Sequence, residues 1–93
     1  MFTMIYRFHA VRRMLERNVS EEDVSRILKD GKTIESYPND RPYPSRLVMG
    51  YANGRPLHVV LADNIETRES IIITVYEPNT ASWETDFEKR KKK

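Results

Sequence analysis

The stretch Arg46-Leu47-Val48-Met49-Gly50-Tyr51-Ala52-Asn53-Gly54-Arg55-Pro56-Leu57-His58-Val59-Val60-Leu61-Ala62 decides the fold. Its centre, Asn53-Gly54, is the residue pair of a type I′ turn, whose two central positions both need positive φ, and apolar residues run along both flanks. With a two-residue turn, Ala52 pairs with Arg55. Counting outward then sets Met49 opposite His58, Val48 opposite Val59 and Leu47 opposite Val60. One face of the hairpin gathers Val48, Leu57, Val59 and Leu61 and is expected to lie under helices. The other gathers Leu47, Met49, Tyr51, His58 and Val60, and is expected to stay open or grooved.

Outward from the hairpin, Asp63 to Arg68 reads as a polar loop and Glu69 to Tyr76 as an isoleucine-rich strand. Simple alternation gives Ile71, Ile73 and Val75 to the covered face, and Ile72, Thr74 and Tyr76 to the open one. Pro78-Asn79 ends this strand, and Asn79 or Thr80 is expected to cap a last helix carrying Trp83 and Phe87 four residues apart. On the other side, the loop Asn39 to Pro44 holds two prolines that remove backbone donors. Thr33 to Tyr37 before it has strand periodicity. Ser20 followed by Glu21, Glu22 and Asp23 is a capping-box pattern, starting a helix whose apolar face is Val24, Ile27 and Leu28 and whose stop is a left-handed Gly31. From about His9 to Arg17, Ala10, Val11, Met14 and Leu15 recur at the spacing of a buried helix face, with Asn18 at the exit. Phe2 to Phe8 alternates as a short opening strand. The order β-α-α-β-β-β-β-α predicts an α+β fold. Its twisted, mainly antiparallel sheet has four to five strands, with two N-terminal helices and one C-terminal helix packed chiefly on one face.

Size and composition narrow the functional classes. The chain has 93 residues, no cysteine and two histidines, so a disulfide framework, a thiolate zinc site and a dedicated metal cage are not expected. One domain over residues 1–90 with a basic tail at 91–93 is expected at this length. No apolar run is long enough for a bilayer, and the first residues lack a secretory pattern, so a cytoplasmic protein with no membrane partner is expected. The net charge is +2, yet the last three residues are all lysine; without them 13 basic side chains face 14 acidic ones. Positive charge otherwise concentrates near the start, where Arg7, Arg12, Arg13 and Arg17 stand against Glu16. No phosphate-binding glycine loop, HExxH, GxSxG or EF-hand pattern occurs, and no cofactor is expected.

Candidate chemistry rests on a few side chains. His58, in mid-strand, is a residue type that passes protons near neutral pH, though such a histidine equally serves as a hydrogen-bonded packing residue. Tyr76 and Thr74 fall beside it by alternation. His9, Arg13 and Arg17 lie at i, i+4 and i+8 of the first helix, a row of donors suited to phosphate or to solvent. Arg46 falls on the opposite face from His58, and the sheet separates His58 from the helix row as well.

His9-Ala10, Arg13-Met14 and Glu16-Arg17, then Val19-Ser20-Glu21-Glu22-Asp23-Val24, resemble the opening of a small prokaryotic family catalogued as domain of unknown function 4258. The likeness continues through Tyr43-Pro44-Ser45-Arg46-Leu47, Gly54-Arg55-Pro56-Leu57-His58-Val59-Val60, and Ile73-Thr74-Val75-Tyr76-Glu77-Pro78 with Trp83. The resemblance implies a fold-level likeness to RelE/ParE-like and BrnT-like toxins, which are neutralised by an antitoxin and frequently act on RNA. The expectation that follows is a metal-independent RNA endonuclease of a toxin-antitoxin pair. Its catalytic candidates are His58, Tyr76, His9 and Arg13, and its substrate-binding candidates are Arg17, Arg46 and Thr74. Its expected partners are RNA and an antitoxin protein. The alternative is a non-catalytic module that binds a protein through the Leu47, Met49, Tyr51 and Val60 face, or nucleic acid through the basic helix.

Overall fold

The computed structural model describes Phe2–Lys92. Seven elements follow in order: β1 (Thr3–Tyr6), α1 (Phe8–Arg17), α2 (Glu21–Asp30), β2 (Lys32–Tyr37), β3 (Ser45–Ala52), β4 (Arg55–Asn64) and β5 (Glu69–Tyr76). They form one five-stranded sheet of order β1-β5-β4-β3-β2. The hairpin register is as counted from the turn, with Met49 opposite His58 and Val48 opposite Val59, and Asn53 and Gly54 take φ of 55° and 78°. The sheet is mixed rather than simply antiparallel, because β1 runs parallel to β5 and places Thr3 beside Glu69. β1 and β2 occupy opposite edges, so the two helices between them must cross the sheet, and they cover one face on the way. α1 packs on β5, and α2 on β3 and β4.

The core lies between that face and the helices. Val48, Leu57, Val59, Leu61, Ile72 and Val75 meet Ala10, Met14, Val24 and Ile27, all buried. Apart from Ala10, each of these side chains contributes about 1.5–3 kcal/mol through its removal from water. The assignment of Ile71 and Ile73 to this face is corrected. A register shift in the β4–β5 ladder, where Val60 faces Thr74 but Leu61 faces Ile72, inserts Ile73 as an extra residue. A bulge of this kind inverts the alternation beyond it, so Ile72 is the residue that reaches the core. α1 likewise buries fewer of its apolar residues than their spacing predicts. Ala10 and Met14 are buried, whereas Val11 is 41% exposed and Leu15 78% exposed.

The capping box of α2 forms as the sequence indicates. The Ser20 hydroxyl accepts from the Asp23 amide and the Asp23 carboxylate accepts from the Ser20 amide. Asn18 closes α1 in the left-handed conformation at φ 56°. Gly31 does not share that conformation; its φ is −79°. Its smallness serves a close approach instead, since a Cβ there would stand 2.5 Å from the carbonyl oxygens of both Ile27 and Met49.

The expected C-terminal helix is absent. Asn79 does begin a turn, its side chain accepting from the Ser82 amide and its carbonyl from Trp83. The chain then doubles back, with Trp83 bridged to Arg90 and Phe87 in the left-handed region at φ 58°. The resulting strap crosses the sheet face opposite the helices. That face is therefore closed rather than open: Leu47, Met49 and His58 are buried there, and only Tyr51 among the named set is well exposed. Of the expected tail, Lys91 donates its amide to the Ser82 carbonyl, and Lys93 lies outside the described residues. Among the described residues no helix is long and apolar enough to cross a membrane.

Candidate functional site

β4 and β5 set His58 directly beside Tyr76, and the strap lays Trp83 and Phe87 over them. The imidazole is fully buried. Its Nε2 lies 2.7 Å from the Phe87 carbonyl oxygen and its Nδ1 lies 3.1 Å from the Tyr76 hydroxyl. A carbonyl only accepts, so Nε2 carries the proton and donates, leaving Nδ1 to accept from the tyrosine. Trp83 stands edge-on to the ring, centroids 4.4 Å apart. Burial pushes the His58 pKa below the ordinary histidine value, against the opposing pull of the Phe87 carbonyl and Glu35. Burial likewise raises the Tyr76 pKa. The pair is thus held neutral. With both ring nitrogens engaged and no surface exposed, the imidazole has no free position from which to exchange a proton with a substrate.

The strap is fastened at its edge to β2. The Arg90 guanidinium donates twice to Glu35, at 2.9 and 3.2 Å, and lies 4.7 Å from the Trp83 ring centroid. Tyr37 donates to the same carboxylate, and the Arg90 contact holds the Glu35 pKa below the usual carboxylate range. Lys32 pairs with Glu88 further along. Phe87 positions its carbonyl through the left-handed conformation that a helix would have forbidden.

The other sequence candidates lie elsewhere. His9 and Arg13 share a shallow depression on α1 with Arg12 and Glu16; Arg13 pairs with Glu16 at 3.6 Å. Arg17 is exposed, its carbonyl accepting from Arg55 at 2.7 Å. Thr74 is half-buried opposite Val60. Arg46, opposite Leu61 and so on the helix-side face, bonds Asp63 through Nε at 2.9 Å and Thr33 through Nη1 at 3.1 Å. The structure therefore brings His58 to Tyr76 and His9 to Arg13, and the sheet stands between the two pairs.

Two features escaped the sequence reading. One is the strap, whose Phe87 carbonyl and Trp83 ring complete the histidine's surroundings. The other is the outer stripe of α1, where Phe8 is 82%, Leu15 78% and Val11 41% exposed. These three lie at i, i+7 and i+3, beside a separate buried pair at Ala10 and Met14. The signal was present as an excess of apolar residues over what one helix face can bury.

Among the described residues no group of three or more histidine or acidic side chains is placed to hold a metal ion. The model of the family described as "Domain of unknown function (DUF4258)" matches residues 6–77. No curated protein matches the chain, and no solved structure does.

Proposed function

The chain belongs to the DUF4258 family of domains of unknown function, and on that premise we propose that it is a non-catalytic protein-binding module whose partner docks on the outer stripe of α1. The observation that carries this reading is the exposure of Phe8, Val11 and Leu15 along one line of a helix that buries only Ala10 and Met14. Large apolar side chains at that spacing are the anchors of helix-in-groove recognition. Of the two histidines a toxin-like ribonuclease could use, His58 is sealed and the exposed His9 stands across the sheet from Tyr76, an arrangement that favours binding over cleavage. Nucleic acid is the weaker occupant, because Phe8 and Leu15 put large apolar surface on the exposed side of α1 and Arg13 is already paired with Glu16.

Charge indicates what kind of protein docks. Arg12, one turn beyond Phe8 on the same line, forms no ion pair among the described residues. A two-fold antiparallel pairing of α1 with a second copy would bring the two Arg12 side chains together, a like-charge contact that costs affinity. An amphipathic segment with an acidic edge meets both the stripe and the arginine. An antitoxin protein, expected from the resemblance, is one class of partner able to supply such a segment.

Selection of helical peptides from a display library against the purified protein tests this. The expected winners carry apolar residues at i, i+3 or i+4, and i+7 flanked by acids, and lose binding to the double variant Phe8→Asp, Leu15→Asp by about a hundredfold or more, from the apolar burial forfeited. Winners insensitive to that variant, or RNA cleaved by the protein in the presence of chelator, would overturn it.

A further inference from the structure

On the helix-side face, at the far end of the sheet from the Asn53-Gly54 turn, α2 and β1 leave a groove of about 610 Å³. That volume is within the range of small-molecule sites. Phe2, Met4, Leu28 and Ile65 form its apolar walls. Its floor is polar, which is out of character for the face that elsewhere forms the core. Arg46 donates to Asp63 at 2.9 Å, and Ser70 donates to the same carboxylate at 3.0 Å.

Both oxygens of Asp63 are thereby engaged, one by Arg46 and one by Ser70. Lys29, in the last turn of α2 and on the groove's rim, forms no ion pair among the described residues. Arg46 spends Nε on Asp63 and Nη1 on Thr33, which leaves Nη2 as a donor. The guanidinium of Arg68 stands 6.0 Å from the ring centroid of Phe2, adding a third cation beside the wall. The lining side chains thus carry two positive charges against one negative one, and the negative one already has a donor on each oxygen.

We infer that this groove binds a small amphipathic carboxylate. Its head meets Lys29 and the outer edge of Arg46, and its apolar body lies against Phe2, Met4, Leu28 and Ile65. A guanidinium and an ammonium that border the same groove can both supply charge-assisted hydrogen bonds to an anion in it, and the walls supply burial for the chain or ring behind it. The site is separate from the α1 stripe, so each stands or falls by its own test.

Octanoate is the probe, followed by amide chemical shifts in the full chain, with octanol and acetate as the body without the charge and the charge without the body. The expected result is saturable shifts at Ser25, Leu28, Lys29 and Ser70. Octanol and acetate are expected to bind at least about tenfold more weakly, the factor that corresponds to about 1.4 kcal/mol. Lys29→Glu reverses the rim charge on an exposed side chain and is expected to weaken octanoate by about tenfold or more, as loss of one charged hydrogen bond requires. Ile65→Asp is expected to do the same from the wall, and Leu15→Asp to change nothing. Octanol binding as well as octanoate, shifts centred on Phe8 and Leu15, octanoate binding untouched by Lys29→Glu, or no saturable shift at millimolar octanoate would each overturn the inference.

Discussion

Replacing His58 by alanine is the sharpest test of whether this ring is a strut or a proton carrier. The substitution removes both hydrogen bonds of the imidazole and strands the Phe87 carbonyl and the Tyr76 hydroxyl. Each buried group left without a partner costs about 1–3 kcal/mol. The lost edge-on contact with Trp83 adds about 0.5–1.5 kcal/mol. Water entering the space satisfies part of that loss, so about 3 kcal/mol is the expected net effect, a large share of the roughly 5–15 kcal/mol that holds a domain folded. Trp83 is the chain's single tryptophan, so its emission reports the strap selectively. In urea the variant should unfold at lower concentration, and its emission should shift to the red before the far-ultraviolet circular dichroism changes. His58→Phe, which keeps the ring volume but not the hydrogen bonds, should lose about 2 kcal/mol, chiefly from the unpartnered groups. Stability within about 0.5 kcal/mol of the parent for both variants, the range of ordinary surface changes, would refute the structural role. Combined with loss of RNA cleavage it would return His58 to catalysis.

Acid should weaken the same contact. The folded state holds His58 below its ordinary pKa, which is about 6.5. As pH falls past that value the unfolded chain takes up the proton first. The stabilisation is therefore complete above about pH 6.5 and is lost as pH falls through the folded value. Thermal melts at about pH 8 and about pH 5 should show a larger drop in Tm for the parent than for His58→Phe, and equal drops would contradict the linkage. Gly31→Ala drives a Cβ to 2.5 Å from two carbonyl oxygens that cannot rotate away; a loss of about 3 kcal/mol or more in urea is expected from the overpacking. Ser20→Ala removes the hydroxyl half of the α2 cap and should cost about 1 kcal/mol, measurable as a shift in denaturation midpoint without a change in slope.

The hairpin was legible because its information is local. Asn53-Gly54 dictates a turn, the turn dictates register, and register places every side chain from Ser45 to Ala62. The capping box at Ser20 was legible for the same reason. The bulge at Ile73 was not, since β-branched residues in a row offer no sign of where the ladder will slip. Gly31 was read as a stop by its position after α2; only the approach of the Met49 carbonyl, from a distant strand, reveals what its hydrogen side chain is for. Asn79 did start a helical turn, but what followed was decided by long-range partners. The Phe87 carbonyl goes to His58 and Arg90 goes to Glu35, and neither pairing leaves a trace in local periodicity. The candidate site suffered most from this. His58 and Tyr76 stand side by side as alternation predicts, yet the segment that seals them has the local pattern of a helix.

The parallel pairing of β1 with β5 has a consequence for synthesis. Residue 3 finds its neighbour only at residue 69, so a chain emerging from the ribosome carries β1 unmatched until β5 has been made. The Asn53-Gly54 hairpin can zip as soon as it is free, but the edge it offers to the last strand, and through that strand to the first, waits for the far end. Truncation before residue 69 should thus leave not a shortened version of this protein but a hairpin with loose ends. A ribosome-stalling series would see protease resistance arrive in one late step.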